Sequence, residues 1–202
     1  MVPLIDLVNE QLDDNALSQL SQQLGVDPNT TRQAVPAALT ALLGGLSHNA
    51  AQPAGAEQLL GALTKDHDGS VLDNLGGLLG GGGGGAVLGQ QGASILGHIF
   101  GNRQPQVANQ VGRASGLNAS TATQLLMMLA PLVLGALGRA QRQRGLDSGG
   151  LSDILTGERQ RVERTNPQHG GLLNVLLDRD GDGNIMDDLA GMAGGLLGGG
   201  RR

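Results

Sequence analysis

Asp178, Asp180 and Asp182 alternate along a short stretch that continues through Gly183, Asn184, Ile185, Asp187 and Asp188. It is the densest run of hard oxygen donors in the chain. Calcium takes six to eight oxygens, so carboxylates at loop positions one, three and five wrap the ion while a glycine at position six makes the sharp turn. The spacing therefore predicts a calcium site. Its ligands are the side chains of Asp178, Asp180 and Asp182, the backbone carbonyl of Asn184, and Asp187 or Asp188 to close the shell. Magnesium fits a smaller version with more waters. Position twelve is Leu189 rather than the bidentate Glu of an ordinary EF-hand, so the loop is EF-hand-like and its closing ligand stays open between two acids. The same acids have a competing use as caps for a helix starting near Asp187, although capping does not require the alternation. A thinner set, Asp66, Asp68 and Asp73, has Thr64 at position one and predicts a weaker second site.

Little other chemistry is written in the chain. There is no Cys, which excludes disulfides, zinc–thiolate sites and thiol catalysis. His48, His98 and His169 are far apart in sequence, and His67 sits at an even loop position that should face away from an ion, so zinc is disfavoured. Gly92-Ala93-Ser94-Ile95-Leu96-Gly97 lacks the spacing of a nucleophile elbow, the sole lysine, Lys65, precedes Asp66 rather than Ser or Thr, and no His-Glu-x-x-His is present. The expectation is a protein that is not an enzyme.

With 36 Gly, one Phe and neither Tyr nor Trp, any core must be built from Leu, Ala, Val and Met. Such a core lacks large anchors, and modest stability is expected unless ions or self-association add to it. A net charge of −5 argues against general attraction to nucleic-acid backbones. The stretch from Leu20 to Arg32 nonetheless has the form of a helix-turn-helix, which keeps DNA binding as an alternative. Its second helix offers only Arg32 before turning Ala- and Leu-rich, so a core-forming hairpin is the better reading.

Apolar spacing supplies the elements. Leu4, Leu7, Val8, Leu12, Leu17, Leu20 and Leu24 predict helix from the N-terminus to Gly25. Asp27-Pro28 then caps a second helix with the stripe Val35, Leu39, Leu42, Leu43 and Leu46, bent at Pro36. The same grammar returns at Gly116, 91 residues after Gly25, with Asn118 as cap and the stripe Leu125, Leu129, Leu132, Val133 and Leu137. Two copies of one unit, residues 1–101 and 102–202, are the expected organisation. The second carries an Arg-rich insertion between Arg139 and Gly171, read as a solvated helix with i,i+4 ion pairs.

A glycine-rich apolar run follows each acidic loop. Six consecutive glycines, Gly80 to Gly85, make an isolated helix there costly, and a flexible loop between Leu79 and Ala86 is expected, with glycine-zipper packing as the competing use. Leu75 to Phe100 carries no charge and is long enough to span a bilayer, but its glycine content leaves peripheral association as the stronger membrane reading. The N-terminus has no basic region ahead of an apolar one, so cytoplasmic location is the default expectation.

The segments LSQQLGVDPNTTRQAVPAALTALLGGL, LTKDHDGSVLDNLGGLLGG, ILGHIFG and LMMLAPLVLGALGR together resemble the YidB-like bacterial proteins, the domain-of-unknown-function family 937. The resemblance runs roughly from Leu4 to Arg144, and the trailing DRDGDGNIMDDL is similar to tails of such proteins. It implies a mostly helical, internally duplicated fold and no established activity or catalytic residues. The combined expectation is an all-α protein of tandem helical units with glycine-rich connectors. In function it is a structural or interaction module, with a homo-oligomer or protein partner, whose calcium loop orders the Gly/Leu-rich tail for packing or self-association.

Overall fold

Three short sequences, Gly25-Val26-Asp27, Gly116-Leu117-Asn118 and Gly145-Leu146-Asp147, do the same structural work in a computed structural model of the chain. In each, the glycine ends a helix in the left-handed region, at φ of +66°, +74° and +60°, where a Cβ would be strained. The apolar residue next to it returns its N–H to the helix just ended. Val26 donates to the Ser21 carbonyl at 3.2 Å, Leu117 to Gly112 at 3.0 Å and Leu146 to Gln141 at 3.1 Å. The Asp or Asn that follows caps the next helix. Asp27 accepts from the N–H groups of Asn29 and Thr30, Asn118 from Thr121, and Asp147 from Gly150.

The structure describes residues 4–65, 69–73, 77 and 84–165. The helices are α1 (Leu4–Gln11), α2 (Asp14–Leu24), α3 (Pro28–Ala50), α4 (Pro53–Lys65), α5 (Ser70–Asp73), α6 (Gly84–Phe100), α7 (Gln104–Ser115), α8 (Ala119–Arg144) and α9 (Ser148–Thr165), with a 3₁₀ turn at Gly101–Arg103. No strand occurs among the described residues, so the fold is all-α.

Two helices carry the core. Every residue from Ala37 to Ser47 in α3 is buried, and so is every residue from Met128 to Gly138 in α8. Helices covered on all sides must be apolar nearly all round, and in these segments the polar exceptions are Thr40 and Ser47 of α3, Thr40 returning its hydroxyl to the Pro36 carbonyl. α8 packs against α1, α3, α5, α6 and α7, while α9 lies across α3 and α4. One continuous apolar cluster runs from Leu4 to Val162, so the two sequence halves share their interior. Phe100, the only aromatic residue of the chain, is buried beside Gly45.

Three expectations change. The N-terminal pattern is two helices rather than one, because Asp13 accepts the Ala16 N–H at 2.7 Å and starts α2 afresh. Helix α6 begins inside the glycine run, at Gly84, because packing on α8 supplies what propensity lacks. Its close approach comes at Gly92, where a Cβ would run into the backbone of Met127. The Arg-rich insertion does form a helix, but Leu151, Leu155 and Val162 of α9 are buried, so one face belongs to the core. Pro36 sits within α3, which continues through it.

Candidate functional site

Where α3 ends and α4 begins, the chain makes a turn that only glycine permits. A Cβ on Gly55 would collide with the Asn49 carbonyl oxygen. Ala51 donates back to Ser47 at 3.0 Å and Ala56 to Gln52 at 2.9 Å, so the two helices are joined with little slack. Asn49, at the last turn of α3, donates its side-chain amide to the carbonyls of His98 and Ile99 at 3.2 and 3.1 Å. These are carbonyls of the last turn of α6, which have no partner inside their own helix. One side chain thus fixes the end of α6 against the end of α3.

The consequence is a cleft of about 520 Å³ between α3, α4 and α6. Leu46, Leu59, Ile95, Ile99 and Leu134 form its apolar wall, and His48, Asn49, Gln52, Gln58 and His98 supply its polar groups. Burial, and then the nearby Arg103 guanidinium, hold the His48 imidazole below its ordinary pKa, so it is neutral at pH 7. Among the described residues the lining contains no Asp, Glu, Lys, Arg, Ser, Thr or Cys. The cleft is therefore equipped for hydrogen bonding over an aliphatic floor. Its described lining has neither a hydroxyl or thiol nucleophile nor a carboxylate to orient its histidines.

The predicted ion ligands fare differently. Asp178, Asp180, Asp182, Asn184, Asp187 and Asp188 lie outside the described residues, as do Asp66 and Asp68. Asp73 is described, and its carboxylate pairs with Arg139 of α8. The turn before it is docked tightly: Gly69, at φ +91°, lies against the Gly135 carbonyl and the Arg139 side chain, and a Cβ on Gly135 would strike Val71. Among the described residues no group of three or more His, Asp or Glu could hold a metal ion. Arg32, the one basic residue of the helix-turn-helix reading, pairs with Asp14 of α2 at 2.5 Å on the surface. By length and composition, α8 is apolar enough to cross a membrane, but 83% of its apolar window is buried inside the bundle.

Sequence reasoning kept His48 and His98 apart, and the fold brings both to one cleft. Their separation of fifty positions gave no local signal. Gln52-Pro53, a turn closing an apolar stripe, was the only legible hint.

Residues 6–140 match the family described as "Bacterial protein of unknown function (DUF937)". The match covers more than half of the chain, and the protein belongs to that family. No curated protein and no solved structure matches it.

Proposed function

We propose that this protein is a non-enzymatic helical binding module whose recognition site is the cleft between α3, α4 and α6. The ligand is a neutral molecule with a hydrogen-bonding head and an aliphatic body. The observation that carries this reading is the cleft's lining: an aliphatic wall beside the imidazole and amide side chains of His48, Asn49, Gln52, Gln58 and His98, held by the Asn49 bridge. Pockets of this size with a few converging polar groups are the usual form of small-ligand sites. Calorimetric titration with a series of aliphatic primary amides tests it. Affinity should rise by about 0.8 kcal/mol for each added CH₂ until the cleft is full. The matching alkylamines and carboxylates should bind far more weakly, because the described lining holds no carboxylate, ammonium or guanidinium to pair with them. Equal binding of all three classes would refute the reading.

The acidic loop supports a second element. We infer that Asp178, Asp180, Asp182, Asn184 and Asp187 or Asp188 bind calcium, on the strength of the one-three-five alternation with glycine at six. The ion would relieve repulsion among five neighbouring carboxylates and order the Gly/Leu-rich tail for packing or self-association. Calcium titration of chelator-treated protein, followed by light scattering, should show one site that is lost in an Asp178→Ala/Asp182→Ala variant. In the thinner loop, the Asp73–Arg139 pair competes with any ion, so a second site there should be weaker.

We also read the chain as a duplication. In its favour, the fully buried windows 37–47 and 128–138 stand at the same 91-residue offset as Gly25 and Gly116. Burial of α3 and α8 also speaks for a core hairpin over a DNA reader, since a recognition helix needs an exposed polar face.

A further inference from the structure

Helix α9 is held by a surface far from it in sequence. It follows α8 in the chain, yet the helices it packs on most are α3 and α4. Leu151, Leu155 and Val162 are its buried apolar residues, and the position that completes their spacing is Glu158, which is 8% exposed. The Oε2 of Glu158 is buried without a hydrogen-bond partner among the described residues, and so is the Oε1 of Gln141, whose side chain donates to the Leu146 carbonyl in the turn before α9. A buried acceptor without a donor costs free energy, so α9 is held down less firmly than its apolar face alone would hold it.

Three residues, Gly145-Leu146-Asp147, join α8 to α9. Gly145 and Asp147 are exposed and Leu146 is half-buried, so opening this turn uncovers little. Its direction rests on the φ of +60° at Gly145. A Cβ there would touch no neighbour, so glycine is required by backbone conformation and not by space. With helical angles at these three positions, α8 and α9 would run on as one helix and α9 would leave its own α3–α4 face. The surface that fits α9 within one copy fits the α9 of a second copy equally well.

We propose that α9 is an exchangeable arm, and that the chain forms a twofold dimer in which each copy's α9 packs on α3 and α4 of the other. Such an exchange is closed and self-complementary, so it stops at two copies. The contacts of α9 are the same in monomer and dimer, and the balance between the two is set at residues 145–147. The acidic loop and the α3–α4–α6 cleft take no part, so the exchange is independent of calcium and of any ligand in the cleft.

Gly145→Ala tests the hinge, because alanine resists the left-handed turn and favours a continuous helix. In the full-length chain with chelator present, it should tighten dimerisation at least about tenfold over wild type in analytical ultracentrifugation. The chain has no cysteine, so spin labels can be placed singly. Labels at Glu57→Cys on α4 and Gln160→Cys on α9, both exposed positions, define one distance in a doubly labelled monomer. Mixing singly labelled copies of Gly145→Ala should reproduce that distance between copies. Glu158→Leu replaces the unpartnered carboxylate by hydrocarbon of similar size and holds α9 down in monomer and dimer alike. It should slow mixing at least about tenfold and leave the dimer dissociation constant within about twofold. Gly145→Ala that is helical yet monomeric at millimolar concentration, or a dimer whose distance between copies differs from that of the monomer, would overturn the proposal. If Gly145→Ala does not fold, the same label mixing in concentrated wild type decides: the monomer distance between copies supports exchange, and its absence overturns it.

Discussion

The α2–α3 and α7–α8 hairpins are built by the same rules and end differently. Both turn on a left-handed glycine, an apolar residue and an Asx cap, and both bury a stretch of eleven residues on every side. Beyond that stretch they part. α8 is packed by α1, α3, α4, α5, α6 and α7, whereas the end of α3 borders the cleft that lies between it, α4 and α6. Two similar hairpins therefore carry the core, and their unequal coverage leaves the cleft.

The comparison is sharpest at paired leucines. Leu137 is fully buried in α8, while Leu46, its counterpart at the 91-residue offset, is buried yet borders the cleft. Truncating a core leucine costs about 2–5 kcal/mol depending on the void left behind. Leu137→Ala should fall near the top of that range, at about 4 kcal/mol, and Leu46→Ala near the bottom, at about 2 kcal/mol, by urea denaturation. Equal losses would mean that the two hairpins are equally enclosed.

Glycines on α6 give the next contrast. Gly92→Ala should destabilise by about 3 kcal/mol, since the backbone of Met127 occupies the space for a Cβ. Gly89→Ala, with open space around it, should stabilise by up to about 1 kcal/mol through helix propensity. Thermal melts of the two variants shifting the same way would contradict the close approach of α6 to α8.

Smaller effects separate the caps. Asn118→Ala should cost about 1 kcal/mol at any pH between 3 and 8. Asp27→Ala should also destabilise, but only where Asp27 is ionised. Its pKa is lowered, first by the Thr30 hydroxyl and then by the Thr30 and Asn29 N–H groups. The stabilisation is therefore complete above the unfolded value of 3.8 and lost as pH falls through the lower folded value. His48 works in a different window. Its folded pKa is below the ordinary 6.5, so the unfolded chain takes up protons first and stability declines as pH drops below that value. A His48→Gln variant should flatten the stability profile around pH 6, while Asp27→Ala should flatten it only below pH 4.

Much of this architecture could be read from residue types. Gly25-Val26-Asp27 and Gly116-Leu117-Asn118 announce their turns because capping and left-handed glycine are local chemistry. The third copy, Gly145-Leu146-Asp147, carries the same local signal next to the basic cluster of Arg139, Arg142 and Arg144. Asp13 was equally local, but the unbroken leucine spacing from Leu4 to Leu24 hid the break. The cleft was not legible, since it depends on Asn49 meeting the end of a helix about fifty residues away. Glu158 was masked by its company, because a glutamate among Arg159, Arg161 and Arg164 reads as a surface pair until the fold shows which face is inward.

Methyl-resolved NMR of the leucine and isoleucine side chains during titration with octanamide bears most directly on the cleft. Binding as described moves the methyl signals of Leu46, Leu59, Ile95, Ile99 and Leu134 together, with one affinity, and Ala62→Met, which fills the cleft from α4, suppresses those shifts. Shifts scattered over the bundle, or the same shifts persisting in Ala62→Met, would contradict the cleft as the recognition site.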